Sequence, residues 1–409
     1  MILHQSFHWF LTGLVFPVLS LFILDRGMDY LQLGSLMAIG SAAVIAAELP
    51  TGGLADTIGR KRVYLASLFF SAGGILSLLF SSSFPGLAFG FLLTGMGRAL
   101  SSGSMEAYFI DGLYREKPDR DIQPCLAVLN AAIPLSLGAA SLIGGFLPEA
   151  ARRLPVGLQP GNIYSINLAA VLIFTVLQFL MTLLLIREEV PHRPARFREG
   201  FRQVPTLIGS SFRFALGSRT VLLILLAGLA WGFSVSGLEQ YWQPRVRSIL
   251  RGTEQTRIFG YLGFGYFLAS TLGSLASTGL CRLFRGSYST ALCVFRAVMG
   301  ALFLILTAQT SLAGFSLLYL LTFSANGAAN SPEDALFNSA VPSERRSTML
   351  SFSSLFMQSG GLLGSLILGF TAETRSITAA WILAGGLLLV SSVLYLMISA
   401  PERRAAHGI

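Results

Sequence analysis

The sequence predicts an all-α integral membrane protein, with twelve transmembrane helices in two pseudo-symmetric six-helix halves. Three observations predict it. Of 409 residues, 53% are hydrophobic and 12% charged, where soluble globular proteins carry about 25% charged residues; the mean hydropathy is +0.66. The 43 glycines and 31 phenylalanines suit lipid-facing helices in close contact, because glycine is commoner in membrane spans than in soluble helices. Asp, Glu, Lys and Arg are absent from nine stretches: Met1–Leu24, Val63–Gly97, Ile122–Pro148, Leu154–Ile186, Thr220–Leu238, Ile258–Cys281, Ala297–Pro332, Ser347–Ala372 and Ser376–Pro401.

A helix needs ~20 mostly apolar residues to cross a bilayer, so most of these stretches hold one span. Two hold a hairpin, because Ser81-Ser82-Ser83-Phe84-Pro85-Gly86 and Gln309-Thr310-Ser311 are turn-forming breaks. Adding Tyr30–Gly53, which carries only Glu48, the spans fall near 5–25, 30–53, 62–82, 86–110, 123–148, 163–187, 219–242, 257–281, 287–308, 313–337, 346–370 and 377–399. Met1–Gln5 has no basic residue and no small-x-small cleavage site follows, so the first stretch reads as a retained helix. Cys125, Cys281 and Cys293 fall at or inside spans, and no structural disulfide is expected.

Twelve spans put both termini on one side. With the termini inside, the cytoplasmic loops and tails hold 19 of the 29 basic residues, the bias expected of a plasma or inner membrane protein with both ends in the cytoplasm. The +9 net charge thus belongs to topology and lipid headgroups, and nucleic acid is not an expected partner. The loop Arg245–Arg257, with Arg245, Arg247, Arg251 and Arg257, departs from this bias and is expected to meet headgroups or steer anions.

The Pro- and Arg-rich stretch 188–218 reads as a cytoplasmic linker with a surface-lying amphipathic stretch around Phe197–Phe214, between an N-terminal half at 1–187 and a C-terminal half at 219–409. Leu142-Ile143-Gly144-Gly145-Phe146 and Leu366-Ile367-Leu368-Gly369-Phe370 occupy equivalent places in the halves, and the Arg98…Glu106 interval recurs as Asn326…Asp334. Secondary transporters use such repeats to place a substrate site at the midplane.

Between spans two and three lies Gly53-Leu54-Ala55-Asp56-Thr57-Ile58-Gly59-Arg60-Lys61-Arg62, preceded by Glu48-Leu49-Pro50-Thr51-Gly52. Its glycines permit a tight reversal and its basic cluster anchors the inner face. The order resembles the motif A loop of the major facilitator superfamily, in the form found in one bacterial branch, with Thr57 where a basic residue is common. The resemblance implies a twelve-helix fold working by alternating access. It further implies a gating latch of Gly53, Asp56, Gly59, Arg60 and Lys61, with Asp56 facing the start of span eleven near Arg345–Thr348 and Arg60 meeting Asp111 or Glu106. The second-half counterpart around Gly279-Leu280-Cys281-Arg282 lacks an acid, so the latch is expected to be asymmetric.

Arg98 is the sharpest intramembrane feature, since an Arg in mid-span costs ~2.5–3.5 kcal/mol on insertion scales and must face the bundle interior or a water-filled cavity. Glu106 lies ~12 Å further along the helix and roughly 80° round it. The resemblance implies that an Arg here acts in proton coupling, although Ser102 stands where that motif has Gly; Arg98, Glu106 and Asp334 form the expected coupling set. Glu48, Glu239 and Glu333 are further acids near span ends.

Asn130, Trp231, Glu239, Gln240, Tyr241, Asn326, Asn330 and Gln358 are the expected substrate-binding residues. A largely apolar lining of this kind suits a small, amphipathic organic substrate. Ala140-Ser141-Leu142-Ile143-Gly144-Gly145 keeps the small residues of the superfamily's efflux motif but lacks its Gly-Pro pair. There is no phosphate loop, His4, His8, His192 and His407 are too scattered for a metal site, and Gly260, Gly263 and Gly265 lie within a span, where they serve helix packing. No enzyme activity, cofactor or metal is expected. The expectation is a monomeric, proton-coupled exporter of small organic compounds; an importing symporter or facilitator, and a non-transporting sensor or scaffold, are the alternatives.

Overall fold

The computed structural model describes residues 2–102, 104–105, 108–109, 123–155, 160–186, 209–251 and 255–398, apart from the side chains of 49–57, 123–124, 126–127, 344 and 347. Among these residues all regular structure is helical. Ten helices among the described residues are long and apolar enough to cross a membrane. The other two expected spans are the first, which is broken, and the fourth, Phe84–Ser101, which is 18 residues long and carries Arg98.

The break in span one separates Ile2–Val15 from Leu19–Leu24 at Pro17. A proline has no N–H for the carbonyl four residues earlier, here Gly13, and Ser141 of span five donates its hydroxyl to Gly13 O at 3.1 Å. The same repair recurs twice. Pro148 frees Gly144 O, which accepts from Asn167 Nδ2 at 2.7 Å. Pro332 frees Ala328 O, which accepts from the Ser277 hydroxyl at 2.8 Å. Neighbouring side chains thus satisfy the carbonyls that prolines free within the spans.

Spans three, five and six are Arg60–Phe80, Gln123–Arg152 and Ser165–Leu185; spans seven to twelve are Arg219–Ile249, Arg257–Leu283, Tyr288–Thr307, Leu312–Ala340, Arg346–Thr374 and Ile377–Ser391, the last extended by a 3₁₀ turn to Tyr395. Span two corrects the expected loop: its helix runs from Tyr30 to Ile58, so Gly53-Leu54-Ala55-Asp56-Thr57 is helical and the reversal falls on Gly59 alone. Gly59 has φ +101°, a conformation that side chains with a Cβ rarely adopt.

The helices gather into two compact units, one of residues 1–28, 39–204 and 254–264, the other of 29–38, 205–253 and 265–409. Spans two and eight therefore each begin in one unit and continue in the other. Within the first unit, span one packs on five, three on four, and three on six; within the second, seven packs on eleven, nine on ten, and nine on twelve. The pairings are the same after a shift of six spans, as duplication requires. Close approach depends on glycine at equivalent places: a methyl on Gly13 would meet Leu137 O at 2.5 Å, and one on Gly232 would run into Met357 O. In the second unit Val221, Ile224, Leu292, Phe337 and Met349 join a continuous apolar core.

Candidate functional site

The second unit holds a buried polar network centred on Arg296, midway along span nine. Its Nη2 pairs with Glu333 Oε2 of span ten, and the two side chains are 4% and 17% exposed. Its Nη1 donates to Asn326 Oδ1 at 2.9 Å. The same oxygen accepts from Trp231 Nε1 of span seven at 2.8 Å. The guanidinium lies 5.5 Å from the centroid of the Trp231 ring, a favourable cation–π placement. Tyr395, at the end of span twelve, donates to Glu333 Oε1 at 3.1 Å. Seven residues separate Asn326 from Glu333, about 700° of helix, so both fall on the face of span ten turned to Arg296. Among the described residues Arg296 Nε is buried without a hydrogen-bond partner.

A second cluster lies around Glu239. Its Oε1 accepts from the Tyr266 hydroxyl at 2.8 Å. The Tyr266 ring packs on Phe323 with centroids 3.9 Å apart, and Tyr319 lies against Tyr266, Phe323 and Trp242. Among the described residues the Tyr319 hydroxyl is buried without a hydrogen-bond partner.

Trp231, Asn326 and Glu239 are thus brought into two polar clusters. Gln240 is buried and donates Nε2 to the Ser365 hydroxyl at 2.6 Å. Tyr241 is fully buried with its ring edge-on to Tyr30; both residues lie in helix contacts. Asn330 and Asp334 are exposed one turn apart on span ten, and Gln358 is partly buried. In the first unit Asn130 and Arg98 are exposed. Lys61 donates to Leu183 O at 2.8 Å and Ile186 O at 2.5 Å, capping the end of span six, where a cation is favoured by the helix dipole. Arg60 is partly buried. Gly53 and Asp56 lie in the last turns of span two; the Asp56 side chain, Glu106 and Asp111 lie outside the described residues.

Sequence reasoning missed the Arg296 hub. The signal was an Arg inside an otherwise apolar span, but its partner is 37 residues away on another helix. It also missed a chain of buried polar groups in the first unit. His4 Nε2 lies 2.8 Å from Thr182 Oγ1 and 2.9 Å from Gln178 Nε2; Gln178 also donates to the Tyr64 hydroxyl at 3.1 Å, which is 3.0 Å from His8 Nδ1. These groups tie spans one, three and six together. Arg245, expected to meet headgroups, instead donates to Thr307 O at 3.1 Å and Gln309 O at 2.9 Å. The three cysteines are free thiols.

Comparison with known proteins agrees with this architecture. The uncharacterized MFS-type transporter YxaM of Bacillus subtilis (strain 168) is 20% identical over 394 residues, 94% of this chain and 92% of the relative. Shorter matches reach the minor myo-inositol transporter IolF of the same organism, 39% identical over 80 residues (19% of this chain, 18% of the relative). Another reaches the quinolone resistance protein NorA of Staphylococcus aureus (strain MRSA252), 24% identical over 143 residues (35% and 36%). The crystal structure of the nucleoside transporter NupG superposes with a TM-score of 0.76 at 12% identity, covering 97% of each chain. The family model for the Major Facilitator Superfamily matches residues 1–342; the chain belongs to this superfamily and is a multi-pass membrane transporter of that kind.

Proposed function

We propose that the protein exports a small organic solute in exchange for protons, by alternating access of its halves 1–187 and 219–409 about the linker 188–218. In this reading it works as a monomer in the cell (inner) membrane with both termini in the cytoplasm. The observation that carries the coupling is the Arg296–Glu333 pair and its bonds to Asn326 and Trp231. Glu333 is the more open partner and in this scheme takes up the proton, while Arg296 stays sealed. Protonating Glu333 leaves a buried Arg without its counter-charge, a loss of about 3–5 kcal/mol when one partner of a buried pair is removed. The helices must then move to give Arg296 another partner. Because Arg296 also fixes Asn326 and Trp231, that movement reaches residues expected to meet the substrate. Asp334, exposed beside Glu333, is a second proton acceptor in this scheme.

Export draws support from the match to a quinolone resistance protein. The match to a myo-inositol transporter favours a second reading, uptake of a metabolite by symport. Accumulation of fluorescent amphipathic dyes in an efflux-deficient host separates the two. Export predicts lower dye in cells making the protein and recovery of dye when the proton gradient is collapsed; dye rising above the empty-vector control favours uptake.

A further inference from the structure

The segments that close spans five and eleven are alike beyond their glycines. Ser141-Leu142-Ile143-Gly144-Gly145-Phe146-Leu147-Pro148-Glu149 and Ser365-Leu366-Ile367-Leu368-Gly369-Phe370-Thr371-Ala372-Glu373 agree at six of nine places. In each, Ser, Gly and Glu follow at intervals of four, so the three lie along one face of the helix.

That face is occupied in the same way in both copies. In the first unit it meets the start of span eight. A methyl on Gly260 would meet Leu142 O at 2.7 Å, and Thr256 donates its hydroxyl to Gly145 O at 2.9 Å. Glu149 Oε1 accepts from the Arg257 backbone N–H at 3.3 Å and from its Nε at 3.2 Å. In the second unit the face meets the start of span two. A methyl on Gly34 would run into Ser365 O, and Glu373 Oε2 accepts from the Tyr30 N–H at 2.9 Å. Arg257 and Tyr30 are the first residues of their helices, where N–H groups have no acceptor within the helix and negative charge is favoured. Span two has a capping box of its own, with bonds exchanged between Asp29 and Gln32, but this box leaves the Tyr30 N–H to Glu373.

We propose that Glu149 and Glu373 are paired gating residues, each capping a helix of the other half of the chain, and that the two caps break together when the solute pathway changes face. This rests on the alternating-access reading of halves 1–187 and 219–409, in which Glu149 reaches across to Arg257 and Glu373 reaches back to Tyr30. Even-numbered spans all start on one membrane face, so both caps join the halves at the face opposite the termini. The acids act by positioning helices, and neither needs to touch solute. One consequence separates a paired gate from two independent caps. If a single rocking movement opens both, weakening either cap shifts the same equilibrium, and the other cap opens as often.

Hydrogen–deuterium exchange of the full chain in nanodiscs, read at the Tyr30 and Arg257 amides by mass spectrometry with fragmentation, tests it. Glu149→Ala is expected to speed exchange about twofold to thirtyfold at Arg257, the worth of one helix cap, and by a similar factor at Tyr30. Glu373→Ala is expected to do the same in reverse. Glu149→Gln, which keeps an acceptor without the charge, is expected to give a smaller rise at both amides. Mid-span amides of spans six and nine are expected to hold their wild-type rates in all three variants. A rise confined to the helix start that lost its own cap, no rise at either, or a rise that spreads over spans six and nine would overturn the proposal. No solute or proton gradient is present, so a failed export or coupling assignment leaves this result untouched.

Discussion

Arg296 and Glu333 form an ion pair between spans nine and ten in which the base is almost sealed and the acid is not, at 4% and 17% side-chain exposure. Burial of the pair sets a penalty for losing one partner. Arg296→Met or Glu333→Leu alone is expected to lower stability by about 3–5 kcal/mol, while the double replacement recovers most of it, since a buried pair can be exchanged for apolar groups at little net cost. Thermal unfolding of the purified protein in detergent checks this. Single and double variants that unfold alike would show that the pair is not coupled.

Asn326 Oδ1 takes hydrogen bonds from both Arg296 and Trp231. Asn326→Ala leaves both donors short of an acceptor and is expected to cost about 1–3 kcal/mol. Trp231→Phe keeps a ring beside the guanidinium and is expected to cost less. The comparison is read by unfolding, with the tryptophan emission of Asn326→Ala shifted from wild type. Equal losses in the two variants would argue against the shared acceptor.

Arg26 and Arg245 have matching tasks in their units. Arg26, after span one, donates to Leu79 O at 2.8 Å and Ser81 O at 3.0 Å at the end of span three. Arg245, late in span seven, donates to Thr307 O and Gln309 O at the end of span nine. Alanine at either place is expected to destabilise by about 1–3 kcal/mol. Lysine recovers only part, because a single ammonium lacks the planar fork. Chemical denaturation of the four variants tests this, and a neutral Arg245→Ala would return that residue to the headgroup role.

The proline repairs predict a coupling of their own. Ser277→Ala leaves Ala328 O without its donor in the wild-type chain, and a loss of about 1–2 kcal/mol is expected. In a Pro332→Ala background the backbone N–H returns, so the same Ser277→Ala should cost little. A double-mutant cycle by unfolding reads the difference, and an unchanged cost in both backgrounds would dismiss the repair.

The spans were legible because a bilayer excludes charge: stretches without Asp, Glu, Lys or Arg correspond to the helices, whereas the break at Pro17 inside the expected span 5–25 was not foreseen. The end of span two was misplaced because Gly53 reads as a turn residue, whereas only Gly59 needs a positive φ. Trp231 and Asn326 could be picked out as polar or amphipathic residues within spans, but their shared bond could not. Arg296 was visible as an isolated charge, yet its meaning depends on Glu333 and Tyr395, which packing brings from spans ten and twelve. Periodicity places residues on faces; it does not say which faces meet.

In the proposed mechanism Glu333 couples proton movement to solute movement, and flux in proteoliposomes under an imposed pH gradient reads that coupling. Wild type is expected to drive a transported dye against its concentration gradient. Glu333→Gln, which keeps an acceptor for Arg296 but cannot take up or release a proton, is expected to lose that accumulation while still exchanging dye down its gradient. Gradient-driven accumulation by Glu333→Gln at the wild-type rate would contradict the account.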